Sequence, residues 1–217
     1  MARGRTASAK IVPIGGQVPT NGADDAIAMT EPYIATIRIK GTVPYLYHAW
    51  NVEAVEEKAA APKGSEIKKT DNVESYVYRD DDGFLAISGE QFRASIINAA
   101  KYMQDPRSSR KSAQDLFKAG ISDLTIMARV GPKPTKEWHH LDRRRVQVRG
   151  SAVTRSRPSL QAGYEAEFEL LVDLPEYITE SILLDIATKA GRLCGIGNYR
   201  PTYGRFQVIS FTVRQDI

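Results

Sequence analysis

The chain has 217 residues, 42% of them hydrophobic, which is enough for one large domain with a real core or one domain with an appended element. Its single cysteine, Cys194, excludes an internal disulfide bond and a cysteine-rich zinc cluster, and it fits a reducing, cytoplasmic environment. The sequence has no apolar run of membrane-spanning length, and its basic N-terminus lacks the apolar segment of a secretory signal, so we expect neither.

The positive charge is unevenly distributed along the chain. The formal net charge is +4, yet the segment 101–160 alone contains fourteen Lys/Arg against five Asp/Glu. Segregation of this kind indicates a basic face that binds a polyanion. The alternative is an ordinary solvated polar face.

The first third of the chain predicts an arm, a strand and an insertion. Residues 1–30 show little periodicity and predict a flexible N-terminal arm. Apolar and polar residues alternate over 34–40, which predicts a strand with Arg38 and Lys40 on its polar face. The charged, alanine-rich segment 51–72 predicts an inserted helical finger or a flexible loop.

A hairpin and an amphipathic helix are predicted next. The hairpin has strands over 73–79 and 84–88 that are joined by an Asp/Gly turn. The helix runs over about 90–103, with Ser88 as its N-cap and Gln91 placed to complete a capping box.

The basic segment that follows predicts a short helix over 112–118, a strand over 121–130 and a second strand over 144–149. An extended arm is expected after the turn at Gly150. We expect the cluster of arginines in this segment to contact phosphates, because a guanidinium group presents a planar fork of donors. These arginines are Arg143, Arg144, Arg145, Arg149, Arg155 and Arg157. Strand alternation places Arg145, Gln147 and Arg149 on one side of the strand.

The C-terminal part predicts a strand, a helix and a last strand. The strand covers 164–173, and the helix begins after Thr179 as N-cap and ends near Gly195. The loop "GIGNYRPTYGRF" at 195–206 then leads into the final strand. Across the whole chain, the order of elements predicts an α+β fold with a ferredoxin-like, RRM-like βαββαβ core. This domain covers 31–217, with insertions at 51–72 and 131–160.

A glycine-rich loop between the last helix and the last strand, together with the segment "FLAISGEQFRASIINAA", resembles the RAMP superfamily of CRISPR-associated proteins. These are RNA-binding subunits of CRISPR effector complexes, and their glycine-rich loop contacts RNA phosphates. The central "NYRPTY" departs from the commonest form of that loop. The resemblance implies a site that contacts the sugar-phosphate backbone of the nucleic acid and is formed by Gly195, Gly197, Arg200, Gly204 and Arg205.

The loop residues themselves suit a polyanion. Glycines let backbone N–H groups approach a phosphate, and Arg200 and Arg205 supply charged donors. Tyr199 and Tyr203 offer flat faces on which bases can stack. In proteins that bind single strands, each stacked base contributes about 1–3 kcal/mol to the binding free energy. The alternative is packing against a sheet edge. The glycines follow a helix and precede a strand, which excludes a dinucleotide fingerprint, and no Gly-Lys-Ser/Thr sequence is present for a Walker loop.

His48 is the only candidate that we name for catalysis. It lies beside Tyr45 and Tyr47 in the sequence and could act as a general acid or base, although a packed or surface histidine is the more ordinary interpretation. The aspartates of 79–83 predict a turn in preference to a metal site. We expect no cofactor, no metal and no enzymatic activity.

The sequence therefore predicts non-catalytic binding of single-stranded nucleic acid, with RNA favoured over DNA. The expected assembly is a homo-oligomer along the strand or a subunit of a ribonucleoprotein complex, with no membrane association. Three alternatives stay open. They are a phage protein that binds single-stranded DNA, a metal-independent RNA endonuclease that uses His48, and a structural protein whose basic face holds an acidic partner.

Overall fold

The computed structural model describes residues 10–11, 31–65, 72–148 and 151–215. Within these ranges the strands are β1 (Lys10–Ile11), β2 (Tyr33–Gly41), β3 (Tyr45–Leu46), β4 (Ala86–Ser88), β5 (Ile121–Asp123), β6 (Met127–Arg129), β7 (His140–Val148), β8 (Ser151–Leu160), β9 (Glu165–Val172) and β10 (Phe206–Arg214). The α-helices there are α1 (Val52–Ala60), α2 (Gly89–Ala100), α3 (Gln114–Gly120) and α4 (Glu180–Lys189). Arg149 and nearly all of the predicted arm lie outside the described residues.

The main sheet has five antiparallel strands in the order β1-β10-β2-β9-β5. Without the edge strand β1, the order β10-β2-β9-β5 is that of a ferredoxin-like βαββαβ core. In this core, α2 connects the first strand to the second and α4 connects the third to the fourth. The predicted α+β fold is confirmed. The prediction succeeds because β2, β9 and β10 alternate apolar and polar residues and the core helices α2 and α4 each have one apolar stripe.

The core lies between the helices and one face of the main sheet. Ile37 and Ile39 of β2 point into it and are fully buried. Phe92 of α2 stacks on Phe168 of β9 with ring centroids 4.3 Å apart. In the part of the chain that the structure describes, no helix combines the length and the apolar character that a membrane span requires.

The two predicted N-caps have different outcomes. Thr179 caps α4, because its hydroxyl accepts a hydrogen bond from the Ile182 amide. Ser88 precedes α2, but its side chain makes no capping hydrogen bond. The capping box is therefore wrong. The Gln91 side chain instead accepts a hydrogen bond from the Tyr45 hydroxyl at 2.8 Å and donates one to Tyr78.

The hairpin predicted over 73–88 is wrong in its first strand. Residues Val73–Tyr76 form a turn of 3₁₀-helix, and β4 pairs with β6, which follows more than 35 residues later, as Ala86↔Arg129. The predicted turn between the two segments is confirmed, because Arg79 and Leu85 on either side of it form an isolated antiparallel bridge.

A second sheet has the order β3-β8-β7 and carries the arginine-rich segment. The extended arm expected after Gly150 is in fact the strand β8, which pairs with β7 along their whole length. Helix α1 follows β3 in the chain and occupies the first half of the predicted insertion. The hairpin β7–β8 lies next to the glycine-rich loop, because Arg144 of β7 contacts the rings of Tyr199 and Tyr203.

Candidate nucleic-acid interface

The hairpin β7–β8 has two chemically different faces. Directly opposite residues of an antiparallel pair share a face, so the partners Asp142↔Arg157 and Arg144↔Arg155 place four charged side chains together. One aspartate stands against three arginines on this face. The opposite face carries the exposed Arg143, Arg145 and Gln147. The predicted placement of Arg145 and Gln147 on one side is confirmed.

Arg157 is the least exposed of these arginines. It is 7% exposed, and its Nε and Nη1 atoms find no hydrogen-bond acceptor among the described residues. Burial lowers the pKa of the Arg157 guanidinium, Asp142 opposes this effect, and the nearby Arg155 and Arg144 lower the pKa further. A buried guanidinium with unsatisfied donors is costly in free energy, and a bound anion would relieve that cost.

Arg144 joins the hairpin to the glycine-rich loop. Its guanidinium carbon lies 4.8 Å from the ring centroids of both Tyr199 and Tyr203. It donates hydrogen bonds to the Asp142 carboxylate and to the Tyr203 hydroxyl. These contacts, the Asp142 hydrogen bond first, raise the pKa of Arg144 above its ordinary value. We call Asp142, Arg144, Arg155, Arg157, Tyr199 and Tyr203 the arginine–tyrosine cluster.

The two tyrosines are held by an unusual local backbone. Tyr199 has φ 58°, a left-handed conformation that a non-glycine residue adopts at a cost. Its ring and that of Tyr203 meet edge to face with centroids 6.1 Å apart. Tyr199 is also 45% exposed, so one face of a stacking surface is open to solvent.

The glycines of the loop permit close backbone approach. A Cβ on Gly204 would lie 1.7 Å from the Ile196 carbonyl oxygen, and one on Gly197 would lie 2.5 Å from the Tyr45 ring. The amides of Gly195 and Gly204 donate to the carbonyls of Ala190 and Pro44. Because these two amides are engaged within the protein, they are not available for the predicted phosphate contacts of the loop.

The loop arginines lie at the surface. Arg200 and Arg205 are both exposed, and Arg205 Nε donates to the Pro201 carbonyl at 2.9 Å. The Arg205 carbonyl accepts a hydrogen bond from the Thr42 amide, which fixes the end of the loop beside the end of β2. Both guanidinium groups therefore remain accessible to a polyanion.

Arg38 and Lys40 lie on the open face of the main sheet, apart from the arginine–tyrosine cluster. Both are paired with Glu165, at 2.7 Å and 3.7 Å. On the same face Arg214 pairs with Glu169 at 2.7 Å. The sequence showed the two cations but not their partners, since cross-strand register decides which carboxylates face them. This face is charge-balanced, unlike the hairpin.

Sequence reasoning missed a groove beside the hairpin. Its volume is about 500 Å³, and Trp50, Tyr76 and Arg155 are among the residues that line it. The signal available in the sequence was the aromatic run "YLYHAW" at 45–50, which puts His48 and Trp50 close together.

His48 does not share a site with the tyrosines beside it in the sequence. Tyr45 and Tyr47 are fully buried, and burial raises the pKa of both hydroxyls, whereas His48 is exposed. The His48 ring lies 5.0 Å from that of Tyr76.

The aspartates of the predicted turn are held by a cation. Asp80 and Asp82 both accept hydrogen bonds from Arg129. Within the described ranges, no three His, Cys, Asp or Glu side chains are grouped so as to hold a metal ion.

Comparison with known proteins agrees with the fold. No family model and no curated protein matches the sequence. One chain in the cryo-EM structure of the Type III-B Cmr-beta bound to cognate target RNA superposes with a TM-score of 0.51 at 10% identity, over 87% of this chain and 63% of that chain. Cmr6 from Pyrococcus furiosus superposes at 0.45 and 11% identity, over 83% of this chain and all of that one. The first likeness, at 10% identity, agrees with the predicted α+β fold.

Proposed function

We propose that this chain binds single-stranded nucleic acid, RNA in preference to DNA, without cleaving it, as a subunit of a ribonucleoprotein complex. The observation that carries the proposal is the arginine–tyrosine cluster. Three guanidinium groups share a face with one carboxylate there, and the buried one, that of Arg157, has no acceptor for Nε and Nη1 among the described residues. A phosphate of the strand would supply the missing negative charge.

The stacking surface favours a single strand over a duplex. Tyr199 is exposed and lies against Arg144, so bases of an unpaired strand can stack where the charged groups meet its backbone. A duplex keeps its bases stacked inside and offers only phosphates to such a surface. The preference for RNA rests on the fold likeness to a chain whose complex is bound to target RNA.

The experiment is a fluorescence-anisotropy titration with single-stranded RNA, single-stranded DNA and duplex DNA of equal length at two salt concentrations. The expected result is salt-sensitive binding of the single strands, tightest for RNA. The double variant Arg200→Ala/Arg205→Ala should weaken binding, whereas Lys118→Ala, which removes an exposed charge from α3, should not. Equal affinity for duplex and single strand, or parental affinity of the double variant, would contradict the proposal.

The absence of cleavage is part of the proposal and has its own test. Labelled RNA is incubated with the protein in EDTA, and the products are separated by size. We expect intact RNA, because the tyrosines next to His48 in the sequence are buried away from it. Cleavage that disappears in His48→Ala would establish an endonuclease instead.

A further inference from the structure

The groove beside the hairpin is walled by aromatic rings. It lies between the segment 48–51, helix α1, the 3₁₀-turn at 73–76 and strand β8. Trp50 is 77% exposed, which is unusual for the largest apolar side chain. The rings of His48 and Tyr76 lie 5.0 Å apart with an interplanar angle of 55°.

Polar residues also line the groove. They include Asn72 and Ser75, and the Asn72 side chain makes no capping hydrogen bond to the turn that follows. The Asn72 amide supplies both donors and an acceptor, and the Ser75 hydroxyl, which already donates to the Asn72 carbonyl at 2.6 Å, supplies an acceptor. An aromatic wall with a few polar groups and a volume of about 500 Å³ is the form of a small-ligand site.

Arg155 connects the groove to the arginine–tyrosine cluster. It lines the groove, and it also lies directly opposite Arg144 on the face that carries Arg157. A phosphate bound to Arg155 would therefore lie beside the groove. The adjacent phosphates of the same nucleic-acid strand would contact the other arginines of the cluster. The groove is a continuation of the charged surface.

We infer that this groove receives one unpaired base of the bound strand, with Trp50 as the principal stacking surface and Arg155 on the adjoining phosphate. The inference rests on the proposed function, because it assigns a base-binding subsite to the same strand. It also gives His48 a place in the groove wall, next to Tyr76, without a role in proton transfer.

The test separates base contacts from phosphate contacts. Oligouridine and an abasic ribose-phosphate oligomer of equal length carry the same charge but differ in bases. The parent protein and Trp50→Ala are titrated with both by anisotropy. Trp50→Ala should bind oligouridine about tenfold more weakly and the abasic oligomer with parental affinity. Ile126→Ala, which truncates another exposed apolar side chain, serves as the matched control.

A second readout locates the base. The chain has two tryptophans, so Trp138→Phe leaves Trp50 as the only one. Oligouridine should quench its fluorescence, whereas the abasic oligomer should not. Parental affinity of Trp50→Ala for oligouridine, without quenching, would overturn the inference alone. If the parent protein bound neither oligouridine nor the abasic oligomer, the proposed function would be overturned and the inference with it.

Discussion

Arg144 and Arg155 lie directly opposite each other on neighbouring antiparallel strands. Like charges in that position repel and destabilise the sheet. The buried Arg157 is on the same face, and Asp142 is the acidic partner that the register provides. The folded protein therefore holds positive charge that its own described side chains do not balance, and this is the relationship expected where an anionic ligand supplies the balance.

The first prediction follows from this repulsion. Arg155→Thr should stabilise the free protein by about 0.2–1 kcal/mol, since it removes a cross-strand like-charge pair and introduces a good strand former. The same change should weaken nucleic-acid binding. Urea unfolding measures the first effect and anisotropy the second.

Arg143→Thr is the control for the stability measurement. Arg143 is exposed on the other face, opposite Ser156, so its removal should change stability by no more than about 0.5 kcal/mol. If Arg155→Thr destabilised the protein, the cross-strand repulsion would not be the controlling interaction.

The second prediction concerns the glycine-rich loop. Gly204→Ala should destabilise the protein, because the new Cβ would collide with the Ile196 carbonyl and the residue has φ +72°. Gly163→Ala is matched to it, since Gly163 also has positive φ but nothing lies within 4 Å of its added Cβ. Placing alanine at positive φ costs about 1–3 kcal/mol of stability in both variants. The collision of the new Cβ with a carbonyl oxygen occurs in Gly204→Ala alone. Thermal unfolding should show the larger loss for Gly204→Ala, and equal losses would contradict the close packing.

The ferredoxin-like core could be predicted from the sequence because its signals are local. Alternation in β2, β9 and β10 and the cap at Thr179 are properties of short segments. The pairing of β4 with β6 could not be predicted in this way. A turn signal at 80–83 favours a local hairpin, whereas the actual partner lies across the α2–α3 segment and is chosen by packing.

The candidate site was predicted in part for the same reason. Arginine clustering is visible in the sequence, but the contact of Arg144 with Tyr199 and Tyr203 joins residues more than fifty positions apart. The pairing of Arg38 and Lys40 with Glu165 likewise depends on register. The sequence shows which arginines and lysines are available to bind an anion. The tertiary structure determines which of them are paired with a carboxylate and which are not.

The third prediction concerns salt dependence. Arg143→Ala/Arg145→Ala removes two exposed cations from the outer face of the hairpin. If each contacts a phosphate of a single strand, the slope of log K against log salt should become shallower by roughly 0.7 for each, or about 1.4 together. Titrations at four salt concentrations measure this. Lys118→Ala should leave the slope unchanged, and an unchanged slope in the double variant would show that the strand does not contact the outer face of the hairpin.

The fourth prediction concerns acid stability. Asp105 accepts three hydrogen bonds from Arg107, and this partner lowers the pKa of the Asp105 carboxyl from 3.8 to about 2. A depressed folded-state pKa means that the stabilisation is complete above the unfolded value near 4 and is lost as the pH falls through about 2. Asp105→Asn should therefore be less stable than the parent at pH 7, and the difference should shrink as the pH falls from 4 to 2. Asp81→Asn, a change of an exposed turn carboxylate, is the control. Urea unfolding at several pH values measures both, and a difference for Asp105→Asn that stayed constant down to pH 2 would show that the ionised carboxylate is not what stabilises this turn.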